Sequence, residues 1–163
     1  MPPLAQSLVA RKTTRSVALV AASVGAVALA GNVAGSLVGV PGLAAPITAS
    51  AFIVAAHTES PAAHPRSLVA GYAICLATGL LAPSLGLPPI AAIAAASVLA
   101  AIAMLVLRVS HAPAIASVVV LQFAGDRRIA CVLAVSLLIL GLALVRSFAR
   151  RAPAPSPIKG NAS

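Results

Sequence analysis

The chain consists of long apolar segments separated by short polar or proline-rich breaks. No charged residue occurs in residues 16–58, and none occurs in residues 67–107. The second stretch has 41 residues, which as one helix would be roughly 60 Å long, about twice the hydrocarbon thickness of a bilayer. Pro83, Gly86, Pro88 and Pro89 interrupt it, and such residues end or kink helices. This stretch is therefore predicted to form two membrane spans of a polytopic all-α membrane protein.

The hydrophobic pattern along the whole chain predicts six segments, in the order long, short, long, then long, short, long. The four long segments are predicted as full transmembrane helices at residues 16–38, 67–82, 90–107 and 129–145. The two short segments, residues 45–56 and 112–124, are too short to cross a bilayer comfortably as helices. Each begins with a proline near its first position, where the missing N–H costs nothing.

The two short segments also resemble each other in sequence. Residues 45–50 read Ala-Pro-Ile-Thr-Ala-Ser and residues 112–117 read Ala-Pro-Ala-Ile-Ala-Ser, with four identities in six positions at an offset of 67 residues. Under-length hydrophobic segments at corresponding positions of two halves indicate the substrate site of transporters built from internal repeats. We therefore predict two three-segment repeats, at about residues 16–82 and 88–148.

The arginines at the segment ends bear on whether the short segments cross the membrane. If both cross, the two halves are inverted, and Arg66 and Arg108 lie on the cytoplasmic side. If both dip and return, the halves are parallel, and these arginines lie outside with Arg127 and Arg128. The positive-inside rule favours the first arrangement, whereas segment length favours the second. We expect an inverted three-plus-three arrangement whose short helices cover part of the membrane depth.

Composition supports a membrane protein, and it indicates that the positive net charge reflects membrane topology. The chain is 61% hydrophobic and 8% charged, with a net charge of +9. In a soluble protein this charge would suggest nucleic-acid binding, but here the basic residues lie at segment ends, so we expect a lipid bilayer and no nucleic acid as partner. The terminal basic residues predict a multi-pass cell-membrane protein with both termini in the cytoplasm; they are Arg11, Lys12, Arg15, Arg146, Arg150, Arg151 and Lys159.

Two terminal segments are predicted outside the membrane domain of residues 16–148. Residues 1–15 form a basic cytoplasmic segment, and residues 149–163 form a disordered tail that is basic and rich in proline. The basic start, the apolar stretch and Ala28-Leu29-Ala30 also resemble a secretory signal with a cleavage site. Because the apolar character continues through residues 31–40, we favour an uncleaved first helix over cleavage.

The starts of the short segments predict a small-anion site. A helix that begins at membrane depth presents unpaired N–H groups and a partial positive charge, and nearby hydroxyls add hydrogen-bond donors. The predicted substrate-binding residues are Pro46, Thr48, Ser50, His111, Pro113 and Ser117.

His111 and three arginines have predicted roles in anion transport, and the hydroxyls and arginines also have a purely structural interpretation. His111 is able to donate to the anion or to carry a proton near neutral pH. Arg66, Arg108 and Arg128 at span ends are predicted to steer anions electrostatically. Alternatively, the hydroxyls bond to backbone or to neighbouring helices, and the arginines extend to the membrane interface.

The sequence offers little for catalysis, a cofactor or a metal ion. Cys75 and Cys131 fall inside apolar segments, and the two acidic residues, Glu59 and Asp126, fall in loops. There is no metal-ligand spacing, nucleophile elbow or phosphate-binding loop. We therefore expect no enzyme activity, no cofactor and no metal site.

Two motifs resemble the HPP family of small integral membrane proteins. Residues 60–66 read Ser-Pro-Ala-Ala-His-Pro-Arg and are followed by Gly71, and residues 111–113 read His-Ala-Pro where the family has His-Pro-Pro. Ser67 stands where the family usually has Asn, and Tyr72 where it often has His. The resemblance covers roughly residues 45–123. It implies a compact bundle described as four transmembrane helices and, for some plastid and cyanobacterial members, nitrite transport.

We therefore expect a small-anion transporter or channel, nitrite-like in specificity, whose site lies between the two short helices. The alternative is a non-transporting membrane scaffold or assembly subunit. Gly31, Gly35 and Gly39 form a ridge of small residues that suits tight helix association in either case. Since so few short spans enclose little volume, a homo-oligomer is expected.

Overall fold

Six α-helices make up most of the structure, a computed structural model that describes the backbone of residues 3–151 and the side chains of residues 17–150. Within these residues there is no strand. The helices are α1 (Pro3–Val38), α2 (Ala44–Ala56), α3 (Pro65–Leu81), α4 (Pro89–Val106), α5 (Ala116–Phe123) and α6 (Arg128–Arg151). Helices α1, α3, α4 and α6 each contain a stretch long and apolar enough to cross a membrane, and the two remaining apolar helices are shorter. The predicted all-α membrane fold with four long and two short helices is thus confirmed.

Short 3-10 turns precede several helices, and one of them changes the start of the second short segment. Residues Ala112–Ile115 form a 3-10 turn before α5, whereas the corresponding residues of α2 are already α-helical. The N–H of Ala114 donates to the carbonyl of His111, three residues back. The Ser117 hydroxyl then donates to the Ala114 carbonyl at 2.6 Å, which stabilises this tighter turn.

The terminal segments overlap the first and last helices. Helix α1 begins at Pro3, so most of the predicted basic N-terminal segment continues the first helix. Helix α6 ends at Arg151, three residues into the segment predicted as a disordered tail. Residues 152–163 of that tail lie outside the described residues.

Helices α1 and α2 pack closely and run antiparallel. A β-carbon on Gly31 would lie 2.9 Å from the α-carbon of Ala44, at the start of α2. Near the other end of both helices, Val17 and Val20 line one hollow together with Phe52. The ridge of small residues on α1 therefore serves a contact within the chain, because it lets α2 approach the α1 backbone.

Contacts between the ends of the remaining helices give their directions. Arg127, just before α6, donates to the carbonyl of Val38 at the end of α1, and Arg146 near the end of α6 donates to the carbonyl of Thr58. Gln122 at the end of α5 donates to the carbonyl of Gly79 near the end of α3. The polypeptide therefore passes through the bundle six times, alternating in direction. We call the end with residues 57–64 and 107–111 the loop end, and the end with residues 39–43, 82–88 and 124–127 the turn end.

The two short helices run in opposite directions and share one pattern of exposure. Residues 44–56 and 111–123 have the same burial class at twelve of thirteen aligned positions, and only the pair Pro46 and Pro113 differs. Helix α2 contacts both the Ala112–Ile115 turn and α5. The short segments are therefore neighbours in space, as an inverted arrangement requires. A repeat over the full halves stays a prediction.

Helix α3 lies at the centre of the bundle and contacts α4, α5 and α6. In its apolar stretch 39% of the residues are buried, against 6% for α1. Helix α4 packs through a buried stripe with a four-residue spacing, which consists of Ala92, Ala96, Ala100 and Met104. Small residues on this stripe permit close helix approach, which drives association where lipid is the solvent.

Candidate functional site

Three polar side chains from different segments meet in the interior of the bundle. Ser50 lies on α2, Tyr72 on α3, and His111 immediately before the Ala112–Ile115 turn, and each is at most 1% exposed. The Ser50 hydroxyl oxygen lies 2.8 Å from Nε2 of His111 and 2.9 Å from the Tyr72 hydroxyl. We call these three residues the polar cluster.

The helical period places Ser50 on the buried face of α2. Ile47, Ser50, Ala51 and Val54 are buried at positions i, i+3, i+4 and i+7, the spacing of one helix face. Ser50 is the only hydroxyl on this face, and it projects toward α3 and His111 rather than toward lipid.

Gly71 allows His111 to pack directly against α3. A β-carbon at Gly71 would lie 2.9 Å from the β-carbon of His111, a distance that side chains do not reach without a shift. On the opposite side of the imidazole, Nδ1 lies 2.9 Å from the carbonyl oxygen of Ala62 in the loop before α3. The imidazole is therefore held between the loop and Ser50.

The hydrogen bonds of the cluster require a proton on Nδ1 of His111 and are compatible with Nε2 either protonated or unprotonated. A carbonyl only accepts, so Nδ1 of His111 carries a proton and donates to Ala62. With neutral histidine, Nε2 accepts from Ser50, which in turn accepts from Tyr72. With protonated histidine, Nε2 donates to Ser50, and the Ser50 hydroxyl donates to the Pro46 carbonyl, 2.9 Å away. The cluster therefore accommodates both protonation states by rotation of one hydroxyl.

The structure brings together some of the predicted site residues and separates others. Ser50, His111 and the carbonyl of Pro46 belong to one network. Ser117 is buried but bonds to the carbonyl of its own turn. Pro113 is half-buried, and Thr48 lines a different hollow, between α1 and α2.

The starts of the short segments offer fewer free N–H groups than the sequence suggests. The N–H of Ala45 donates to the carbonyl of Gly42, and that of Ala114 donates to the carbonyl of His111. Pro46 and Pro113 have no N–H. The polar groups available to a ligand are therefore mainly those of the side chains in the cluster.

The three arginines predicted to steer anions lie at both ends of the bundle. Arg66 and Arg108 are exposed at the loop end and line one hollow of about 520 Å³. Arg128 is half-buried at the turn end, where its Nε donates to the Leu121 carbonyl at 3.4 Å. Positive charge is thus present at both ends of the bundle.

Sequence reasoning missed two partners in the cluster, Tyr72 and the carbonyl of Ala62. One signal for Tyr72 was available, because it stands where the HPP family often has His. No sequence signal marks a backbone carbonyl as a partner.

In the part of the chain that the structure describes, no group of three or more His, Cys, Asp and Glu side chains has an arrangement that would hold a metal ion. Cys75 and Cys131 are buried free thiols. Among the described residues, the buried side chains that carry polar or reactive groups are thus hydroxyls, one imidazole and these two thiols.

Comparison with known proteins supports the family that the loop and His111 motifs indicated. No curated protein and no solved structure matches the chain significantly. The family model described as "HPP, transmembrane region" matches residues 6–153, which covers all six helices apart from the first residues of α1. The chain is therefore a member of the HPP family of transmembrane proteins.

Proposed function

We propose that the protein carries a small monovalent anion, similar to nitrite in size and charge, across the membrane together with a proton. The observation that carries this proposal is the buried imidazole of His111, bonded to Ser50 and Ala62 at the meeting point of the two short helices. Ionisable residues inside membrane domains are costly and usually functional.

A protonated His111 would make the cluster a cationic site without a protein counter-charge. The two acidic residues of the chain, Glu59 and Asp126, lie in loops between helices. An unpaired buried charge is strongly unfavourable, so a bound monovalent anion would stabilise the protonated state. Proton and anion would then cross as a neutral pair, with the hydroxyls of Ser50 and Tyr72 as further donors to the anion.

A hollow next to the cluster is large enough for such an anion. It has a volume of about 170 Å³ and lies between α3 and α6, and its walls include Tyr72, Leu76 and Ser136. Tyr72 contacts both this hollow and Ser50. Because the cluster itself is closed to solvent, transport requires Tyr72 or the short helices to move between loading and release.

Flux into liposomes tests this proposal. Purified full-length protein should accelerate nitrite uptake over protein-free liposomes, and an inward proton gradient should increase the rate. His111→Gln should abolish the effect of the gradient, whereas His57→Gln, which changes an exposed loop histidine, should leave it intact. Uptake that equals the protein-free rate under every gradient would overturn the proposal. Parallel measurements with nitrate and chloride would define the selectivity.

A non-transporting scaffold is the second candidate, and the closure of the cluster favours it. Ser50, Tyr72 and His111 satisfy one another and leave no open cavity between them, as expected of polar groups that only join helices. This alternative predicts that His111→Gln lowers the stability of the protein, and that the wild type, His111→Gln and His57→Gln all fail to accelerate nitrite uptake.

A further inference from the structure

A hollow at the loop end carries two arginines from different helix ends. Arg66 lies in the first turn of α3, and Arg108 lies just after α4. Together with Ser67, Ala70, Leu107 and Val109 they line a space of about 520 Å³. None of its lining residues belongs to the polar cluster, so the anion site proposed there does not account for this hollow.

The backbone holds Arg108 at this position in an unusual conformation. Its φ angle is +53°, and it is the only non-glycine residue with positive φ in the part of the chain that the structure describes. Its N–H donates to Leu105, and the next N–H, of Val109, donates to Met104. This is the helix-ending motif in which glycine is usual. A positive φ is less favourable for arginine than for glycine, because arginine has a β-carbon. The arginine at this position lines the hollow.

Two guanidinium groups beside one hollow suit a phosphate. Arginine binds phosphate oxygens through paired, charge-assisted hydrogen bonds, and the hydroxyl of Ser67 in the wall adds another donor. None of the six residues that line the hollow is acidic. The charge of the hollow is thus positive.

The surroundings of the hollow indicate a lipid phosphate rather than a soluble one. Val106 is 74% exposed and Leu107 is 63% exposed, so an apolar surface continues from the arginines along α4. An acyl chain lies naturally against such a surface while its headgroup contacts the arginines. Basic pockets between transmembrane helices are known sites for anionic lipid headgroups.

We propose that the hollow formed by Arg66, Arg108 and Ser67 is a binding site for the phosphate headgroup of an anionic phospholipid. The site takes one lipid from the leaflet at the loop end, with the headgroup between the arginines and one acyl chain along α4. By the positive-inside rule this leaflet is predicted to be the cytoplasmic one.

Native mass spectrometry of the purified full chain in detergent, titrated with phosphatidylglycerol or phosphatidylcholine, tests this proposal. We expect one phosphatidylglycerol to bind more tightly than phosphatidylcholine. The double variant Arg66→Gln/Arg108→Gln should weaken phosphatidylglycerol binding on the order of thirtyfold, since each of the two basic residues contributes about 1 kcal/mol near an anionic headgroup and about 1.4 kcal/mol corresponds to a factor of ten. Arg150→Gln removes an exposed charge near the end of α6, outside the hollow, and should leave binding unchanged.

Three results would overturn the proposal. Equal affinities for the two lipids would show that the headgroup charge does not contribute to binding. Equal affinities of the wild type and the double variant for phosphatidylglycerol would show that the two arginines do not contribute. Inorganic phosphate that binds the wild type as tightly as phosphatidylglycerol would assign the hollow to a free anion instead of a lipid. Because both arginines are exposed, the variants should fold, and a thermal unfolding curve in detergent checks this.

Discussion

His111 joins three parts of the molecule through a single side chain. Its Nδ1 bonds to the loop before α3, its Nε2 bonds to α2, and its β-carbon rests on Gly71. A substitution at this residue therefore changes both chemistry and packing. Substitutions at its neighbours separate the two effects.

Tyr72→Phe removes a hydrogen bond and leaves the ring in place. We expect the free energy of unfolding to fall by about 1 kcal/mol, because one bond is lost and Ser50 keeps its other partners. Chemical or thermal unfolding of the purified protein in detergent measures this. If the hydroxyl also donates to a transported anion, this variant should lose nitrite flux beyond the loss that its reduced amount of folded protein explains. A variant with unchanged stability would show that the Tyr72 to Ser50 bond contributes nothing.

Gly71→Ala should displace His111 without altering any polar group. The new β-carbon meets the β-carbon of His111, which has no flexible end to move, so overpacking should cost about 1–3 kcal/mol. Gly141→Ala on α6 is the matched control, because a β-carbon there has no neighbour within 4 Å. Equal unfolding midpoints for the two variants would contradict the close packing of His111.

The sequence identified part of the cluster for a physical reason. Ser50 and His111 were found because they lie in or beside the doubled Ala-Pro segment, which marks both short helices. Tyr72 was missed because its contact depends on how α3 packs against α2, and residue spacing along the chain does not encode that. Thr48, in contrast, shares the helix of Ser50 but faces a different hollow.

At the scale of elements, packing against neighbouring helices holds the short helices in the bundle, since they are too short to span the membrane comfortably alone. Helix α2 has 13 residues, or about 20 Å, and its first residue packs against Gly31 of α1. The sequence predicted the existence of both short helices from their apolar runs, and the bounds of α2 to within one residue. It did not predict the 3-10 start of the second one, which depends on the local bonds of Ala114 and Ser117.

Gly31→Ala tests the contact between α1 and α2. The added β-carbon meets backbone atoms of Ala44, so the helices must separate, and we expect a loss of about 1–3 kcal/mol in the free energy of unfolding. Gly25→Ala lies on the same helix with no neighbour within 4 Å and should be neutral. Unfolding in detergent with increasing denaturant compares the two. A neutral Gly31→Ala would show that α2 does not depend on this approach.

At the scale of the whole molecule, six passes of alternating direction distinguish the fold from a four-pass bundle with two re-entrant segments. Both arrangements agree with the four long apolar helices of the sequence, and segment length alone favoured four passes. The bonds of Arg127 to Val38 and of Arg146 to Thr58 link the two ends of α6 to residues on either side of α2. Residues 38 and 58 therefore lie at opposite ends of the bundle, and α2 passes from one end to the other. Such contacts between distant segments cannot be derived from hydropathy.

Single-cysteine labelling in sealed membranes tests the passes. Ser110→Cys precedes α5 at the loop end, and Asp126→Cys follows it at the turn end, so a membrane-impermeant reagent should label them from opposite sides. Glu59→Cys should label from the same side as Ser110→Cys. Replacement of the buried Cys75 and Cys131 by alanine removes background. Labelling of Ser110→Cys and Asp126→Cys from one side would show that α5 re-enters.

The close approach of α1 and α2 has a consequence for biogenesis. A helix of 13 residues does not span the hydrocarbon core alone, so it has little tendency to partition into lipid as it leaves the translocation machinery. With Ala44 resting on Gly31, the short turn at residues 39–43 lets α2 enter beside α1 as a preassembled hairpin. Membrane insertion of this protein is therefore expected to proceed by helix pairs, with α1 as the partner without which α2 would be left at the membrane surface.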